Sequence, residues 1–138
     1  MRLAPLLLSL VLALPGCGAQ SAPLEVIRQG EPFWLQAGQS AALADGAVSI
    51  RFAAVASDSR CPSGAVCVWA GEVTLDIGVS VPQAAERLVR LHQRTPPLAD
   101  SLTGYRIELL EVTAPQPGAG ARPPANAYRA RLQLTRIE

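Results

Sequence analysis

Cys61 and Cys67 are the residues whose type and spacing most directly promise chemistry, and five residues, including Pro62 and Gly64, separate them. A structural zinc site needs four ligands, yet the chain adds only one histidine, His92, and no third thiol once Cys17 is assigned elsewhere. A redox-active pair is normally two residues apart, with a helix behind it that lowers the thiol pKa, and the sequence around this pair is of β type. The spacing therefore reads as a structural disulfide closing a tight loop. Loop-closure entropy puts its contribution at roughly 2 to 2.5 kcal/mol, which matters in a chain with only 4% aromatic residues. No metal and no cofactor are expected. The remaining acid–base candidates are Asp58, Glu72, Asp76 and His92. Glu72 and Asp76 share the solvent face of an alternating segment, where carboxylates are usually surface charge. His92 shares a face with Arg90 and Arg94, opposite Val89 and Leu91, and reads as a surface histidine. There is no nucleophile elbow, no HExxH and no glycine-rich phosphate loop. The expectation is a protein without catalytic residues.

The third cysteine belongs to a different pattern. Residues 1–16 carry Arg2, then an apolar run from Leu3 to Leu14 broken only by Pro5 and Ser9, then Pro15 and Gly16. This is the pattern of an export signal. Twelve helical residues cover about 18 Å against a hydrocarbon core of about 30 Å, too little to span it. Leu14-Pro15-Gly16-Cys17 resembles a bacterial lipobox, which implies cleavage before Cys17 and lipidation, with palmitate among its acyl chains. Giving Cys17 to a lipid leaves an even pair of cysteines for an oxidising compartment. Residues 17–23 then read as a lipidated flexible tether, small and polar after the cysteine. Gly18 is not the aspartate that marks inner-membrane retention in enteric-type sorting, so the periplasmic face of the outer membrane is favoured.

Charge narrows the partners. All 12 basic residues are Arg, facing 11 acidic ones, and loss of Arg2 with the leader leaves the two signs equal. No excess positive field remains to gather phosphates, so nucleic acid is not an expected partner. The expected partners are the membrane, through Cys17, and another envelope protein, met by a monomer.

The elements that must position these residues alternate rather than cycling at 3.6. Val73, Leu75, Ile77, Val79 and Val81 are apolar, with Glu72, Thr74, Asp76, Gly78 and Ser80 between them. Tyr128, Ala130, Leu132 and Leu134 repeat the pattern at the C-terminal end. Val48, Ile50 and Phe52 share a face but Val55 has the opposite parity, which predicts a bulge near Ala53 and Ala54. Tyr105, Ile107 and Leu109, followed by Leu110 and Val112, predict another. Leu24–Arg28, Phe33–Ala37, Ser40–Leu43 and Arg87–His92 complete the set, divided by turn signals at Gly30, Gly38-Gln39 and Asp45-Gly46. Seven or eight short strands over 24–138 predict one all-β domain: an antiparallel, Greek-key, Ig-like sandwich or a partly open barrel. Connections too short for crossovers argue for antiparallel order throughout. Two loops exceed hairpin length, Gln93–Gly104 and the proline-rich Ala114–Ala127, and such loops either carry function or merely link strands.

Asp58-Ser59-Arg60-Cys61-Pro62 and Cys67-Val68-Trp69-Ala70-Gly71 together resemble an uncharacterised family of small bacterial exported proteins and lipoproteins with a DSRCP…CxWAG motif. Looser similarity runs through Leu35–Ser40 and Tyr105–Val112. The resemblance implies export, a disulfide and a shared fold unit, and no substrate. Within the motif, Asp58 and Arg60 are expected to pair or to cap the loop, Trp69 to bury its ring beside the disulfide with its indole N–H bonded, and all three are the candidate binding residues.

Overall fold

The computed structural model describes residues 24–102 and 104–138. The leader 1–16, the tether 17–23 and the acceptor Cys17 lie outside the described residues. Among the described residues nine strands form two sheets facing one another. They are β1 Glu25–Ile27, β2 Pro32–Gln36, β3 Ser40–Leu43, β4 Ser49–Asp58, β5 Val73–Ser80, β6 Arg87–His92, β7 Ala99–Leu102, β8 Tyr105–Thr113 and β9 Arg129–Arg136. One sheet has the order β1-β3-β4-β5-β6 and the other β2-β9-β8-β7. The chain is an all-β sandwich of short strands, and neither sheet closes into a barrel.

Alternation builds the core. Val73, Leu75, Ile77 and Val79 of β5 are buried, as are Ile50 and Phe52 of β4, Val89 and Leu91 of β6, and Ala130, Leu132 and Leu134 of β9. These inward faces interlock into one apolar cluster that also takes in Leu35, Ile107 and Tyr128. The expected bulges are present. The β4–β5 register slips between Phe52 and Ala54 and again between Val55 and Ser57. The β8–β9 register slips between Leu109 and Glu111, which turns Leu110 outward.

Three features depart from the sequence reading. A ninth strand, β7, occupies part of the expected loop Gln93–Gly104 and pairs with β8. Its residues Ala99-Asp100-Ser101-Leu102 carry no apolar alternation, and pairing with a strong neighbour decides their conformation. Second, β1 and β3 pair in parallel, Glu25 opposite Ala41 and Ile27 opposite Leu43. The crossover judged too short exists because β2 leaves for the opposite sheet and pairs there with β9. Third, β5 begins only at Val73, so Trp69, expected to lead the strand that follows the disulfide loop, lies outside the sheet. The successive antiparallel strands β7, β8 and β9 place β9 beside β2, a Greek-key order whose long connection runs through β3 to β6 of the other sheet.

Candidate functional site

β4 and β5 end together, Asp58 opposite Val73. One further step of ladder follows: Ser59 N donates to Glu72 O at 2.9 Å, and Glu72 N donates to Ser59 Oγ at 3.1 Å. At this neck the two chains are closer than any side chain allows. A Cβ on Gly71 would lie 1.6 Å from the Ser59 carbonyl oxygen, so only glycine fits there. Above the neck the chain leaves the sheet and closes on itself through the Cys61–Cys67 disulfide, with Cα atoms 5.9 Å apart. Such a bond belongs to an oxidising, non-cytoplasmic environment. No helix among the described residues is long and apolar enough to cross a membrane.

Below the loop lies its cradle. Asp58, with a side chain 1% exposed, accepts four hydrogen bonds. Arg60 supplies three: its backbone N at 3.1 Å and Nε at 2.9 Å to Oδ1, and Nη2 at 2.7 Å to Oδ2. The Tyr128 hydroxyl donates the fourth at 2.7 Å. Arg60 then reaches across to the proline-rich loop, donating to Ala114 O at 3.1 Å and Pro115 O at 2.7 Å. Burial pushes the Asp58 carboxyl up, but the hydrogen bonds from Arg60 and Tyr128 outweigh it and hold the group below its ordinary value. Burial, reinforced by the Asp58 carboxylate, pushes the Tyr128 hydroxyl up to about 12. Ser63 N donates to Pro117 O at 3.0 Å, so the two loops are tied directly as well.

A second cluster fixes the neighbouring loop after β6. Glu72 Oε2 accepts from the backbone N of Arg94 at 2.9 Å and of Thr95 at 3.0 Å, and Oε1 accepts the Thr95 hydroxyl at 2.6 Å. His92 Nδ1 lies 3.3 Å from Oε1 and 3.2 Å from Thr74 Oγ1. Burial alone would push the Glu72 carboxyl up, but these donors, Thr95 first, bring it down from 4.5 to about 2. A depressed carboxylate contributes stability that is complete above its unfolded value and lost as pH falls through the folded one. Between pH 4.5 and 2 the domain should lose on the order of 2 to 3 kcal/mol through this group. Chemical denaturation midpoints across that range should fall steeply for the native chain and more gently for Glu72→Gln. Parallel curves would show that the cap contributes nothing.

Of the residues singled out from sequence, Asp58 and Arg60 are brought together in a largely buried ion pair at the base of the loop. Trp69 stands apart from them. It is 78% exposed, not buried beside the disulfide as expected. The chain has already left the sheet below it, and the interior at this end is occupied by the buried Tyr128, whose hydroxyl reaches Asp58. Val68 beside it is 94% exposed and Val66 fully exposed, so the loop carries an apolar crown that alternation could not flag. Under Trp69 opens a cleft of about 210 Å³, bounded by Ser59, Gly71, Glu72, Arg94 and Thr95. Glu72 and Asp76 do not converge, because Asp76 is held by Arg90 at 2.8 and 3.1 Å. A larger groove of about 740 Å³ runs along β1 and the start of β2, where the Arg129 guanidinium sits 5.3 Å from the Trp34 ring centre. Among the described residues no group of three or more His, Cys, Asp or Glu is arranged to hold a metal.

No protein-family model, curated protein or solved structure matches this chain.

Proposed function

We propose that the protein is a lipid-anchored module of the bacterial cell envelope that binds without doing chemistry, presenting the disulfide loop as its docking element. The observation that carries this reading is the apolar crown of Val66, Val68 and Trp69 on a loop stapled by Cys61–Cys67. Isolated exposed hydrophobics are ordinary, but three within four residues on a rigid projection expose apolar surface that docking would remove from water. Rigidity supports the reading too, since a pre-ordered loop loses little conformational entropy on binding. The anchoring half rests on the leader and the lipobox-like Leu14–Cys17, and on the resemblance of the DSRCP…CxWAG motif to exported lipoproteins. Two or three acyl chains, at about 0.8 kcal/mol per buried CH₂, would hold the domain on a membrane essentially permanently, the periplasmic face of the outer membrane being preferred.

A second reading, inhibition of an extracytoplasmic hydrolase of the protease or lysozyme class, is favoured by the same convex, stapled loop, which suits insertion into an active-site cleft. Both are tested by a photo-reactive residue placed at position 68, and at position 137 as an exposed site outside the loop, in chains expressed in their native envelope. Adducts concentrated at position 68 are expected. One recurrent hydrolase among them would select the inhibitor reading, and equal labelling at both positions would refute the loop as docking element. In the same cells, Cys17→Ser should release the protein from membranes or leave it unprocessed. Unchanged membrane association would refute anchoring through that residue.

A further inference from the structure

We infer that the Cys61–Cys67 disulfide is a redox switch on the loop: reduction by a dithiol frees the limb that carries Val66, Val68 and Trp69 and leaves the sandwich folded. The switch governs the docking element of the reading above and to that extent rests on it.

The two limbs of the loop are held in different ways. The entry limb is bonded along its length. Arg60 donates to Asp58, Ala114 O and Pro115 O, and Ser63 N donates to Pro117 O. Ala65 N then donates to Pro62 O at 3.1 Å, closing a turn in which Gly64 takes a φ of 80°. The return limb has no such support. Val66–Ala70 belong to no strand and are all exposed, and among the described residues they make no hydrogen bond. Between the turn at Ala65 and the close approach at Gly71, this limb is tied at one point, the sulfur–sulfur bond of Cys67.

What closes the neck lies below that bond and acts without it. Ser59 N still reaches Glu72 O, Glu72 N still reaches Ser59 Oγ, and Asp58 stays enclosed by Arg60 and Tyr128. Breaking the disulfide therefore releases the crown and spares the end of β4 and β5. A disulfide stabilises a fold through the freedom it withholds from the unfolded chain. Where the folded loop gains similar freedom on reduction, the two gains offset and little stability is lost.

The bond is also within reach. Cys67 is exposed and Cys61 half-buried, outside the two sheets, and thiol–disulfide exchange depends on access of a thiolate to sulfur. One thiolate of the dithiol attacks Cys67 Sγ, the Cys61–Cys67 bond breaks, and Cys61 leaves as a thiolate that takes up a proton. Its Sγ lies 3.3 Å from Ala65 O, an acceptor for the new S–H. The second thiolate of the reductant attacks its own mixed-disulfide sulfur and expels Cys67, which is protonated in turn. Two electrons pass to the chain, which ends with two thiols, and the dithiol ends as a disulfide.

The test uses the mature protein, with dithiothreitol as the dithiol. Alkylation read by mass spectrometry should show Cys61 and Cys67 reduced in folded protein within about tenfold of the rate in denaturant. On reduction, NMR order parameters of the Val66, Val68 and Trp69 amides should fall below about 0.6 while the strands stay near about 0.85. Tm should fall by less than about 4 °C. Cys61→Ser combined with Cys67→Ser should reproduce the reduced state. Reduction that waits for unfolding overturns the switch, as does a limb whose order parameters do not change. Strands that melt in both the reduced protein and the double variant overturn it too, making the disulfide a staple of the fold. With the photo-reactive residue at position 68, the double serine variant should form at least about tenfold fewer adducts in the envelope. A freed limb with an unchanged adduct yield overturns control of docking and leaves the docking reading intact. Absence of adducts from the oxidised protein as well overturns the docking reading, and the order parameters still decide the switch.

Discussion

Gly71→Ala is expected to destabilise the domain by at least about 3 kcal/mol, because the new methyl has nowhere to go. Its carbon would sit 1.6 Å from the Ser59 carbonyl oxygen and 2.2 Å from the carbonyl carbon, and both are backbone. A flexible side chain could swing aside, as the Glu86 carboxylate would for a Cβ placed on Gly78. The Ser59 peptide cannot move without giving up its bonds to Glu72, and those bonds close the neck of the loop. The change must therefore open the β4–β5 end. In a domain of this size, 3 kcal/mol should lower Tm by about 10 °C. Gly118→Ala is the control, since a Cβ there meets nothing within 4 Å, and it should stay within about 0.5 kcal/mol of the parent. Equal denaturation midpoints for the two variants would mean that the neck is not closed in this way.

Arg60→Met should cost about 3 to 5 kcal/mol, the penalty of leaving a buried carboxylate without its partner. The Asp58 side chain is almost wholly enclosed, and the substitution removes both of its bonds from the guanidinium while the backbone N–H of position 60 still donates. Methionine keeps much of the stem packing, so the loss reports on the charge. Tyr128→Phe removes only the hydroxyl bond and should cost about 1.5 to 3 kcal/mol, the range for a hydrogen bond to a charged group. The double variant Asp58→Asn with Arg60→Met decides the cause. If an orphaned charge produces the loss, removing that charge recovers part of it, and the double variant is less destabilised than the two single changes added together. Strict additivity in urea denaturation would show that the two residues act independently. The arginine also bonds Ala114 O and Pro115 O. Faster proteolysis within 114–127 in Arg60→Met would show that loop losing its support.

Strand faces were legible because burial on one side leaves a period of two, and two of the three register slips announced themselves as slips of parity at Ala53-Ala54 and Leu110, while the one between Val55 and Ser57 did not. What failed was decided by non-local partners. β7 has no pattern of its own and is a strand only because β8 accepts it. The parallel β1–β3 pair depends on where β2 goes, which no window around either strand contains. At the site, the Asp58–Arg60 pairing and the disulfide were readable from short separations. The Tyr128 hydroxyl on Asp58, seventy residues away in sequence, left no local trace, since Tyr128 already satisfied the alternation as a core residue. The outward Trp69 was missed for a related reason: a tryptophan beside a strand is normally core, and only the pinch at Gly71 turns the chain off the sheet before it.

The strand order also sets when this chain can fold. β9, which follows all the other described strands in the chain, is an interior member of its sheet, hydrogen-bonded to the early strand β2 on one side and to β8 on the other. Until residues 129–136 arrive, β2 has no neighbour in its sheet, and Phe33 and Leu35 have no Leu132 and Ala130 beside them. Such high contact order makes closure a late event that awaits residues 129–136. A chain emerging from the ribosome therefore stays open at this sheet until that segment has left the tunnel. The same arrangement that ties β2 to β9 acts as a timer for folding, and it runs out only when β9 is free to pair.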